Sequence, residues 1–95
     1  MARAQVERRL RDVGARLTKL RQELSVTEEQ LAQLTDEADD ARLRALVSET
    51  PIAGKEHREA ERHAEAMKRH RTELIGEIDR LERSQDDLLD RLGGP

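Results

Sequence analysis

The chain has 95 residues, of which 41% are charged and none is Phe, Tyr or Trp, so a globular core built around aromatic side chains is excluded. The absence of cysteine excludes a disulfide framework, a thiolate metal site and a cysteine nucleophile. A formal net charge of −3 at pH 7 argues against general nucleic-acid binding.

The chain is rich in Ala, Leu, Glu, Arg and Gln, which are strong helix formers. The first predicted helix covers about residues 3–48. Val6, Leu10, Val13, Leu17, Leu20 and Leu24 recur at alternating steps of four and three. The series continues through Thr27 to Leu31, Leu34, Ala38, Ala41 and Ala45 without a slip. The positions beside it are mostly polar. An apolar stripe this narrow fits a two-stranded helical pairing better than the wider face of a bundle helix.

A break follows near residues 48–54. Pro51 cannot sit inside a helix but is suited to its first position, and Thr50 before it is the expected N-cap. Gly54 is a second expected break. The second predicted helix covers about residues 51–92. Its stripe runs His57, Ala60, Ala64, Met67, Arg71, Leu74, Ile78, Leu81, Gln85, Leu88 and Leu92, at the same spacing. The fold expected is therefore all-α: a single domain over 1–95, formed by a long antiparallel two-helix coiled-coil hairpin that can self-associate.

Charge supports the antiparallel arrangement. Residues 1–24 carry seven basic and three acidic side chains, and residues 74–95 carry three and six. Residues 25–49 carry two basic and seven acidic, and residues 50–73 carry six and five. Folding back at Pro51 sets opposite net signs against each other at both ends. Pairing apolar positions by size aligns Leu20 with Leu81 and Leu24 with Ile78. It sets Thr27 against Leu74, Leu31 against Arg71, Leu17 against Gln85 and Ala45 against His57.

Thr27, His57, Arg71 and Gln85 are the polar positions of the seam, and the role expected of them is to fix register. Asp36, Glu37, Asp39 and Asp40 are expected to form ion pairs with Lys68, Arg69, Arg62 and Arg58. No two of His57, His63 and His70 have the i, i+4 spacing that a helical zinc site often uses. The sequence yields no catalytic set, cofactor fingerprint or metal site, and none is expected.

Leu43, Leu46, Val47 and Ile52 gather at the turn, where a hairpin has little left to bury them. They either cap the hairpin end on one another or form a docking surface for a partner. The function expected is a non-enzymatic protein–protein interaction module, an adaptor or regulator. It would dock a larger partner through this tip and its charged faces. A purely structural oligomerising coiled coil is the contrasting expectation, and a homodimer fits either. No apolar run reaches the ~20 residues of a membrane span. With no leader pattern, a cytoplasmic protein is expected. Fifteen Arg against three Lys point to a GC-rich bacterial source.

Gly54, Ala60, Glu61, His63 and Ala64 are similar in spacing to the tip of Gre-type transcript-cleavage factors, over about eleven residues. The resemblance implies a hairpin that binds RNA polymerase. The family's two metal-holding acids would fall on Lys55 and Arg58. Both are basic, so the implied role is one without cleavage chemistry.

Overall fold

In the computed structural model the described residues, 2–93, form two α-helices and no strand. Helix α1 spans Arg3–Ser48 and α2 spans Pro51–Gly93. The break between them is confined to Glu49 and Thr50. Thr50 caps α2: its Oγ1 accepts from the Ala53 N–H at 3.2 Å, satisfying one of the orphan donors of the first turn. Pro51 takes the first helical position, where its missing N–H is not needed. Gly54 does not break the chain. Its N–H bonds the Thr50 carbonyl at 3.1 Å, so it lies within the first turn of α2.

The hairpin divides into two compact units. One holds residues 1–24 and 73–95, and the other holds 25–72. In each, a stretch of α1 runs antiparallel to a stretch of α2. All 23 positions of the two apolar series are buried or half-buried. Ala53 is also buried, which extends the second series by one step towards the turn.

The cores of the units differ in kind. In the first, Leu17, Leu20, Leu74 and Ile78 form a buried cluster, with Val13, Leu24 and Leu81 packed against it. Fully burying a leucine contributes about 1.5–3 kcal/mol. In the second, the buried positions are Thr27, Ala38, Ala41, Ala53 and Ala64. Alanine excludes far less apolar surface per residue, so this unit draws more on helix propensity than on packing.

Ion pairs across the seam fix the register. Arg16 Nη2 lies 2.9 Å from Glu77 Oε1, and Arg21 Nη2 lies 3.4 Å from Glu82 Oε2. Both residue numbers rise together because the pairs lie on opposite flanks of the seam. Arg16 precedes one seam position and Arg21 follows another. Midway between them, Leu17 comes level with Leu81 and Leu20 with Ile78. In the second unit the same alignment sets Thr27 against Arg71, and Arg71 Nε reaches Glu28 Oε1 at 3.2 Å. The alignment drawn from apolar size alone is therefore one layer off. Thr27 faces Arg71 rather than Leu74, and Leu17 faces Leu81 rather than Gln85. Gln85 comes level with Val13, and His57 with Ala41.

Candidate interaction surface

The turn is where the local backbone is least regular. Glu49 has φ 52°, the left-handed conformation that commonly ends a helix. Glycine adopts it without strain, whereas a side chain with a Cβ costs about 1 kcal/mol there. Glu49 N–H still bonds the Ala45 carbonyl at 3.1 Å, so the reversal comes immediately after the last helical bond.

The four apolar tip residues all remain exposed. Leu43, Leu46 and Val47 end α1 and Ile52 begins α2; Val47 is the most open, at 85%. Charged side chains of both signs flank them, with Glu49 and Glu56 exposed beside the basic residues. Arg42, Arg44 and Arg58 have no ion-pair partner among the described residues, and Lys55 makes only a 3.9 Å approach to Glu59. Lys55 and Arg58, where transcript-cleavage factors would carry acids, are both exposed.

On one flank of the second unit, Glu37, Asp40, Arg44, Glu56, Glu59 and His63 line an open groove of about 370 Å³. The residues come in three- and four-residue steps on each helix, a signal present in the sequence but visible only once the flanks are assigned. Asp36, Glu37, Asp39 and Asp40 do not form the expected pairs with Lys68, Arg69, Arg62 and Arg58. Lys68 instead bonds Glu65 at 3.1 Å on its own helix. The reason is geometric: most of these side chains point outward and not along the seam.

The polar seam positions take different environments. Thr27 is 3% exposed, while Arg71, His57 and Gln85 are half-buried. His57 Nε2 lies 2.8 Å from Glu61 Oε1, one turn along α2. Among the described residues no group of His, Asp or Glu side chains converges to hold a metal ion. No described helix is long and apolar enough to cross a membrane. Val26 and Leu89 are further exposed apolar residues, away from the tip, that the sequence pattern did not single out as surface features.

Compared with known proteins, the chain matches no family model, no curated protein and no solved structure.

Proposed function

We propose that the chain is a non-enzymatic interaction module, an adaptor or regulator that docks a larger protein through its tip. The observation that carries this reading is the exposure of Leu43, Leu46, Val47 and Ile52 together at one turn. Clustered exposed aliphatic residues cost solubility and mark contact surfaces more than scattered ones do. Arg42, Arg44, Lys55 and Arg58 stand around them together with Glu49 and Glu56, so the complementary chemistry of the partner is an apolar depression with a polar rim of both signs. The aliphatic residues would supply affinity, and the charged rim would orient the approach.

Affinity capture from native lysate tests the proposal, with wild type beside a Leu46→Asp/Val47→Asp variant. Both changes fall on exposed positions, so circular dichroism should show unchanged helix content. A protein held by wild type and lost by the variant is the expected result. A partner held equally by both would remove the tip from the proposal. Recovery of the chain alone would remove the adaptor reading.

A further inference from the structure

The two helices of the second unit present opposite charges on the sides turned away from their shared seam. On α1, Glu29, Gln33, Asp36 and Asp40 lie on that far side, and all four are exposed. On α2, Arg58, Arg62, Glu65 and Arg69 do the same. Of the charged groups among them, only Glu65 is engaged, by Lys68 at 3.1 Å. Glu29, Asp36, Asp40, Arg58, Arg62 and Arg69 make no ion pair among the described residues. Three acids and three bases are left without partners because the two faces point in opposite directions.

Both sets are spaced four, three, four, the period of the seam itself. With α1 of one copy set antiparallel against α2 of the next, the two are complementary. Glu29 comes level with Arg69, Asp36 with Arg62 and Asp40 with Arg58, while Glu65 meets the neutral Gln33. A parallel setting of the same four levels would put Asp36 against Glu65. The antiparallel register is also the one in which α1 and α2 pair within the unit, with Thr27 level with Arg71. A second copy placed beside the first without axial displacement therefore meets it in register. At the edges of the contact Glu37 comes level with Glu61 and Asp39 with Glu59. Glu61 and Glu59 are engaged on their own helix, by His57 at 2.8 Å and by Lys55 at 3.9 Å. Greater separation and solvent weaken these edge repulsions relative to the three opposite-charge levels between them. One layer nearer the turn, the exposed Leu43 comes level with the aliphatic stem of Lys55.

We infer that the acidic outward face of α1 in the second unit binds the basic outward face of α2 in another copy of the chain, antiparallel, through Glu29–Arg69, Asp36–Arg62 and Asp40–Arg58 ion pairs. The charges select register and direction. The two faces differ, so the contact is heterologous. A copy bound through one face keeps the other free, and association continues into a row or closes into a ring instead of stopping at a two-fold pair. Exposed ion pairs contribute little individually, so the association is weak and sensitive to salt. None of the three pairs uses Leu43, Leu46, Val47 or Ile52, and the inference does not rest on the proposed docking tip.

Sedimentation equilibrium on the full chain at low salt tests it. The average mass should rise with protein concentration beyond that of two copies, and about 1 M salt should weaken the association by about tenfold or more. Glu29→Arg/Asp36→Arg turns the acidic face basic, and Arg62→Asp/Arg69→Asp turns the basic face acidic. Each alone should weaken association by about tenfold or more, and a chain carrying all four changes should recover it. All four positions are exposed. Circular dichroism verifies that each variant keeps its helices, and the recovery separates lost pairing from lost folding. The chain has no cysteine, so Gln33→Cys and Glu65→Cys chains, mixed and treated with a short thiol cross-linker, should join to each other in preference to themselves. A monomeric wild type, a mass that levels at two copies, association indifferent to both reversals, or cross-linking without that preference would overturn the inference. So would a monomer whose Arg62 and Arg69 hold a foreign acidic protein. Leu46→Asp should leave the association intact while weakening capture of a tip-bound partner, so failure here is distinguishable from failure of the tip.

Discussion

Arg71 occupies a seam position, yet its Nε donates to Glu28 Oε1 at 3.2 Å on the neighbouring helix, beside the buried Thr27. The guanidinium leaves the seam for its edge while its aliphatic stem stays half-buried. This layer is where a seam that also carries Thr27, His57 and Gln85 accepts a permanent charge. An exposed ion pair is worth at most about 1 kcal/mol, whereas a buried leucine contributes about 1.5–3 kcal/mol. Arg71→Leu should therefore raise the melting temperature. Glu28→Gln, which removes only the partner charge, should change stability by less than about 1 kcal/mol in the same thermal unfolding assay. A lower melting temperature for Arg71→Leu would mean that the ion pair outweighs the packing.

Leu20 is fully buried in the cluster with Leu17, Leu74 and Ile78. Leu20→Ala should cost about 2–5 kcal/mol, through lost burial and the cavity left behind. Val47→Ala, at an exposed position, should shift stability by no more than about 0.5 kcal/mol. Denaturant melts of the two variants provide the comparison. Native-state hydrogen exchange should show the same contrast along the chain. Amides around Leu20 and Ile78 should exchange more slowly than those around Ala41 and Ala60, because alanine layers oppose local opening less strongly.

The helices, their limits and the buried stripe were legible in the sequence because each has a local cause. Pro51 can only begin a helix, Thr50 has the side chain to cap it, and the four–three spacing states which face is covered. The register was not legible to the same degree. Apolar size allows Leu81 to be set against either Leu20 or Leu17, and neither choice exposes a large side chain. What separates them is which flank Arg16 and Arg21 occupy, because Glu77 and Glu82 can serve both only in one alignment. The apolar character of the tip could be read directly from Leu43, Leu46, Val47 and Ile52. Its exposure could not, because whether they cover one another depends on how sharply the chain turns.

Gly14 sits within α1 with nothing within 4 Å of where a Cβ would be. Its φ is not positive, so the glycine meets no conformational need there. Gly14→Ala should stabilise the chain by about 0.5–1 kcal/mol, by lowering the entropy lost on helix formation without a clash. An unchanged or lower unfolding midpoint would show that the position is constrained by something outside the isolated chain, such as close approach of another molecule.

The sharpness of the turn rests on Glu49 and Thr50, which act in opposite directions. Glu49 carries a Cβ in the left-handed region at φ 52°, while Thr50 closes the first turn of α2 through the 3.2 Å bond from Ala53 N–H. Glu49→Gly should therefore gain about 1 kcal/mol by relieving the strain. Thr50→Ala should lose about 1 kcal/mol by leaving that donor without its cap. Chemical denaturation of the two variants measures both signs. The double variant should fall near wild type if the effects add, but adjacent residues in one turn are where additivity most often fails. A double variant well below wild type would show that the capped Thr50 is what holds position 49 in its left-handed conformation, and that glycine alone leaves the turn loose. The exposed tip would then depend on Thr50 for its shape, and Thr50→Ala should weaken capture of a tip-bound partner although Thr50 is not one of the apolar tip residues.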